Sequence, residues 1–160
     1  AGIRTVNGTN NNDVLTVGKA EAGKLTCTLA PIDLHQFCRD LVEEVQFAQV
    51  STASPIEFTA TGDQFQVLAD EKLLRHILLN LLSNAVKYSP EHTPVTFTVA
   101  CGDGESVFQV SDRGIGIPPA DQAQLFGAFH RADNVGNISG TGLGLVIAKR
   151  AAEAHQGLIS

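Results

Sequence analysis

Apolar residues recur along this chain with two different periods, and the change of period marks out its elements. Leu34, Phe37, Leu41, Val45 and Ala48 follow one another at helical spacing and predict a helix over 31–50, opened by a capping-box-like pair, Asp33 and Gln36. Ile56, Phe58 and Ala60 then alternate with Glu57, Thr59 and Thr61, which predicts a half-buried strand. Thr61-Gly62-Asp63 predicts a turn, with 65–69 as the returning strand. The strongest helix covers 70–88, where Leu73, Leu74, Ile77, Leu78, Leu81, Leu82, Ala85 and Val86 supply a wide apolar face. Strands over 95–101 and 106–112 flank Gly102-Asp103-Gly104, a hairpin signal. A short helix is predicted over 119–129 and a last one over 143–155, ending at Gly157. The opening 1–12 is polar and Asn-rich and is expected to be poorly ordered. Residues 13–25 read as the last turns of a helix, with Gly23 as its stop. Strand pairs interleaved with long helices predict an α+β sandwich, its helices on one face of a mixed sheet.

Composition narrows the class. A chain of 160 residues, 43% apolar and 18% charged, is sized and composed like one soluble domain. The net charge of -6 excludes broad binding to a nucleic-acid backbone, which needs clustered cations, but not a single nucleotide. Cys27, Cys38 and Cys101 are scattered and read as small core residues in a reducing compartment. The histidines show no metal-binding spacing, and neither a signal pattern nor a long apolar run is present, so a cytoplasmic setting is expected.

Three features carry candidate chemistry. In SDRGIGIPP, Asp112 ends an apolar strand, and Gly114 and Gly116 follow. The stretch suits a plain turn, or a pocket in which a carboxylate accepts a hydrogen bond and bare backbone approaches a ligand. On the 70–88 helix, Asn80, Asn84 and Lys87 form a polar stripe beside the apolar face. It is either a solvated edge or a place where hard amide oxygens meet Mg²⁺ and a cation meets phosphate. The third, SGTGLGL, leads Gly140, Gly142 and Gly144 into a helix start whose free N–H groups suit a polyphosphate; the alternative is a flexible loop before a helix.

These stretches together carry a resemblance. LRHILLNLLSNAVKYSP resembles the N box of the GHKL ATP-binding superfamily in its sensor histidine kinase form. SDRGIGIP is similar to the G1 box, LFGAFHRAD to the F box and GTGLGL to the G2 box, in the same order, over about residues 31–157. The resemblance implies a Bergerat-type two-layer sandwich, an ATP-binding catalytic domain, with ATP and Mg²⁺ as cofactors. It implies Asp112 on the adenine amine, with Gly114 and Gly116 shaping the base pocket, and Asn84 on Mg²⁺ with Asn80 in support. Lys87 and Arg131 would contact phosphate, Tyr88 would pack near the nucleoside, and Phe126 and Phe129 would anchor a lid over 130–142. Gly140, Thr141, Gly142, Leu143 and Gly144 would form the G2 hinge, and Leu145 would close the pocket.

The same resemblance separates branches. GHKL ATPases such as DNA gyrase place a water-activating Glu four residues before the metal-binding Asn, and Asn80 stands there instead. Transfer to a protein histidine is therefore favoured over hydrolysis. That histidine belongs in an upstream helical hairpin, and none of the five here fits; His92-Thr93-Pro94 reads as a loop. The division implied is a lead at 1–12, the tail of the dimerisation hairpin at 13–25, and a catalytic domain at 26–160 with its carboxy-terminal strands cut short. Implied partners are the dimerisation and phosphoacceptor domain, a receiver domain of a response regulator and a second copy in a homodimeric parent, with no nucleic acid. The alternative is a nucleotide-binding scaffold of the same fold without catalysis.

Overall fold

The hairpin signal at 102–104 builds the centre of the molecule. In the computed structural model, which describes residues 2–9, 13–17, 26–48, 54–122, 125–126 and 143–160, Asp103 (φ 51°) and Gly104 (φ 75°) are both left-handed. Two such residues give the turn whose twist matches its flanking strands. Those strands, numbered sixth and seventh along the chain, are β6 (Val95–Gly102) and β7 (Glu105–Asp112), paired antiparallel from Gly102↔Glu105 to Thr96↔Ser111. Alternation along them buries Val95, Phe97, Val99 and Cys101 on one and Ser106, Phe108 and Val110 on the other.

β4 (Ile56–Gly62) lies parallel to β6, and the helix α2 (Glu71–Tyr88) lies between them in the chain. The expected return of the next strand onto β4 is corrected by the structure. β5 (Gln66–Ala69) pairs instead with β3 (Ala30–Asp33) in a separate antiparallel ribbon. Gly62 explains the departure. Its backbone (φ 114°) presses on β6 so closely that a Cβ would lie 2.0 Å from the Cys101 carbonyl oxygen, and the chain leaves the sheet rather than doubling back.

α1 (Leu34–Phe47) is capped by Asp33, whose Oδ1 accepts the Gln36 N–H at 3.0 Å. The Gln36 amide reaches forward to Asp40 (2.7 Å), so half of the anticipated capping box forms. The helix predicted over 119–129 is described only as α3 (Pro119–Gln122), and the last helix is α4 (Gly144–Ala154), followed by the strand β8 (Gly157–Ile159). The amino-terminal segment also differs from expectation: β1 (Gly2–Thr9) and β2 (Asp13–Val17) are strands beyond β7, where a lead and a helix end were predicted. Val14, Thr16 and Val17 are β-branched and favour extended backbone, and both strands find ladder partners on β7.

The molecule is thus an α+β sandwich, with α1, α2 and α4 over one face of a mixed sheet. α2 contributes Leu74, Ile77, Leu78, Leu81 and Leu82, all without solvent exposure, and meets Leu34, Cys38 and Leu41 of α1. Burying each leucine contributes about 1.5–3 kcal/mol. That packing fixes the rotation of α2 and so decides which of its residues face the edge. Among the described residues no helix is long and apolar enough to cross a membrane.

Candidate nucleotide site

Asp112 ends β7 half-buried, and its Oδ1 accepts the Gly114 N–H at 2.7 Å. Burial pushes its carboxyl above the usual carboxylate range, and the Gly114 N–H partly offsets the rise. Gly114 is required by its neighbours rather than by its torsion angles: a Cβ there would lie 2.7 Å from both Asp112 Oδ1 and the Tyr88 carbonyl oxygen. Gly116 is needed for its own backbone, at φ 74°. The turn read from SDRGIGIPP is therefore also what seats the carboxylate. Backbone at Gly114 seats the carboxylate and carries it to the carboxy-terminal end of α2. Beside these glycines Ile115 is 49% exposed and Ile117 half-buried, so neither belongs to the core.

Asp70 caps α2, its Oδ1 accepting the Leu73 N–H at 3.1 Å. Along the helix Asn80, Asn84 and Tyr88 recur every fourth residue on one side. Tyr88 touches Gly114 through its carbonyl, and Lys87 Nζ stands 5.1 Å from the centre of the Tyr88 ring. At the other end of the stripe Asn80 meets Gly144, where a Cβ would lie 2.3 Å from Asn80 Oδ1. Asn84 is bracketed between these contacts, about 6 Å of helix from each. Asn80 donates from Nδ2 to the His76 carbonyl at 2.7 Å, which turns its amide along the helix. Asn84, one turn further on and half-buried, carries an amide oxygen that can serve as a metal ligand.

α4 begins at Gly144 without a side-chain cap, and Leu145 packs partly into the core with Leu143 half-buried beside it. Phe126 is half-buried, with Lys149 Nζ 5.2 Å from its ring centre. Lys149 is a cation that the sequence reading missed; its place one turn into the helix after GTGLGL was the available signal. Phe129, Arg131, Gly140, Thr141 and Gly142, with the lid over 130–142, lie outside the described residues. His92, at φ 60°, sits in a turn closed by Thr93 N–H to the Pro90 carbonyl (3.1 Å), a loop as read. Cys38 and Cys101 are buried and Cys27 half-buried; burial raises all three thiols, which fits packing rather than nucleophilic use.

A carboxylate at a strand end, an amide-bearing helix edge and a glycine-led helix thus converge on α2. A family model described as histidine kinase-, DNA gyrase B- and HSP90-like ATPase matches residues 69–160, the part that contains all three. The chain belongs to that family. Within this ATPase family it is similar to sensor kinases. It is 38% identical over 154 residues to the circadian input-output histidine kinase CikA of Synechococcus elongatus, covering 92% of this chain and 20% of the relative. It is 43% identical over 150 residues to the sensor-like histidine kinase SenX3 of Mycolicibacterium smegmatis, covering 92% of this chain and 38% of that one. The solved structure of the mycobacterial sensor histidine kinase MprB matches with a TM-score of 0.65 and 32% identity, over 80% of each chain. The GHKL resemblance carried by the sequence boxes therefore holds at the level of the family. The chain spans from a fifth to two-fifths of the length of these curated relatives.

Proposed function

We propose that this domain binds Mg-ATP between β7, α2 and α4 and passes the γ-phosphoryl group to a histidine on a dimerisation domain. The observation that carries the reading is the bracketing of Asn84 between Gly114 and Gly144, with Asp112 seated at one end of the bracket. Asp112 accepts from the adenine amine, Gly116 leaves room for the base, and Tyr88 flanks the nucleoside. Lys87 contacts phosphate, a role that the resemblance also gives to Arg131. The donor set fits magnesium: one hard amide oxygen, from Asn84, suffices for an ion that otherwise takes water and phosphate oxygens. When bound, the ion neutralises phosphate charge during transfer.

Asn80 favours transfer over hydrolysis. Its amide is committed to the His76 carbonyl and abuts Gly144, and an amide has no basicity with which to take a proton from water. A neutral imidazole needs no such base. Its nitrogen attacks the γ-phosphorus in line, the bond to the bridging oxygen breaks, and ADP leaves with that electron pair. The phosphorylated histidine then supplies a receiver-domain aspartate of a response regulator. The test is calorimetric titration with a non-hydrolysable ATP analogue, with and without Mg²⁺, beside Asp112→Asn. Saturable, Mg-dependent binding that the variant weakens at least tenfold is the expected result. A folded parent that gives no binding overturns the reading.

A further inference from the structure

The linker between β2 and β3, described from residue 26, is fastened at one buried point. Thr26, Thr28 and Leu29 are exposed and Cys27 is half-buried, yet the Thr28 N–H donates to Asp70 Oδ2 at 2.7 Å. Asp70 itself is 7% exposed and makes two further links. Its Oδ1 caps α2 through Leu73, and its own N–H donates to Nε2 of His155 at 2.8 Å. Since Nε2 accepts, the proton of the neutral imidazole is on Nδ1, which faces the Ala151 carbonyl at 3.2 Å and donates to it. One residue thus joins the linker, the start of α2 and the end of α4.

The far end of the same helix pair carries the nucleotide edge. α4 runs antiparallel to α2, with His155 against Asp70 at one end and Gly144 against Asn80 at the other. The two contacts are about 15 Å apart along α2. A cavity of about 410 Å³, lined in part by Cys27, Leu29, Leu68 and His155, opens beside the linker. We propose that Asp70 is a positioning residue that fastens this β2–β3 linker to both site helices, so that displacement of the linker reaches the Asn80–Gly144 contact. This inference rests on the nucleotide reading above. Coupling of this kind is reciprocal: nucleotide at the Asn84 edge tightens the linker, and loosening the linker weakens nucleotide binding.

Asp70→Asn isolates the link. Asparagine caps a helix as well as aspartate does, but the amide that replaces Oδ2 cannot accept from Thr28. Amide hydrogen exchange on this chain should show Thr28 exchanging about 10- to 100-fold faster in the variant, the loss of one charge-assisted bond, while α2 stays protected. In the parent, a saturating ATP analogue with Mg²⁺ should slow Thr28 exchange; in Asp70→Asn it should not. His155→Gln, which keeps an acceptor, should retain the parental response, and His155→Ala should lose it. Asp70→Ser, also a good cap, makes the same test if the asparagine variant folds poorly. An unchanged Thr28 rate in the variant overturns the fastening alone. Analogue binding that leaves Thr28 exchange unmoved overturns the coupling. Absence of analogue binding to the parent overturns the nucleotide reading and the coupling together.

Discussion

Gly114→Ala tests whether the G1 glycine exists to seat Asp112. The backbone at Gly114 is one that alanine can adopt, so the cost must come from contact. The added Cβ would lie 2.7 Å from the Tyr88 carbonyl oxygen and 2.7 Å from Asp112 Oδ1, where ordinary contact begins at 3.4 Å. The carboxylate can swing aside, but the Tyr88 carbonyl is backbone at the last turn of α2 and cannot. The 113–117 loop must therefore retreat, stretching the 2.7 Å bond from Gly114 N–H to Asp112. Overpacking of this kind costs about 1–3 kcal/mol, and the weakened bond to a carboxylate adds to it. We expect about 2–3 kcal/mol in urea unfolding, a Tm lower by about 4–12 °C, and loss of analogue affinity through the displaced Asp112. Gly102→Ala is the control, because nothing lies within 4 Å of its added Cβ; it should melt at or slightly above the parental temperature. If Gly114→Ala melts with the control and binds the analogue as the parent does, the seating argument is wrong.

Three further outcomes follow from the same structure. Burial holds the His155 imidazole below its ordinary value, although the Ala151 carbonyl and nearby Asp70 pull it upward, so the fold favours the neutral ring. Its stabilising share is full above about pH 6.5 and is lost as pH falls toward the folded value. For Asp70, burial would raise the carboxyl, but the Thr28 and Leu73 N–H groups with His155 outweigh it and leave it low, so its share disappears only below about pH 4. Urea midpoints should therefore fall in two stages on acidification, and His155→Gln should remove the upper one. Asp112 has the opposite sign: with its folded value raised by burial, ionisation costs stability as pH rises through that value. Asp112→Asn should raise the nucleotide-free Tm at pH 7 but not at pH 3 while abolishing analogue binding, and a lower Tm at pH 7 would contradict the assignment. Gly62→Ala should lose about 3–6 kcal/mol, since its Cβ would lie 2.0 Å from the Cys101 carbonyl oxygen at φ 114°; a soluble variant with parental melting would refute the close-approach account.

Much of this was legible in the chain because burial imposes a period. The apolar face of α2, the β6–β7 hairpin and the start of α1 at Asp33 follow from spacing and turn chemistry alone. The pairing of β5 did not, because Thr61-Gly62-Asp63 has the composition of a turn and nothing local shows that Gly62 is pressed on the Cys101 carbonyl. The site was legible by residue type and less so by contact. Asp112 and Gly114 meet at the carboxy-terminal end of α2, whose edge carries Asn80 and Asn84, but the commitment of the Asn80 amide to His76 is a rotamer choice that sequence does not record. Asp70 was read only as a helix start and His155 only as a histidine without metal spacing. Their contact joins residues 85 apart in the chain, and no periodicity reports that.

That separation also bears on the order in which the molecule can assemble. The β6–β7 turn closes between neighbouring residues, whereas the bond from Asp70 to His155 must wait for 85 residues of chain to be gathered in. Long closures are disfavoured early, so the sheet centre and α2 should become protected first, with α4 docking afterwards. In pulse-labelled refolding the amide of Asp70 should then gain protection after those of Phe97 and Phe108. A chain caught between these stages would hold a formed sheet and an α2 edge still open along the side that α4 covers, and chaperones would meet it in that state.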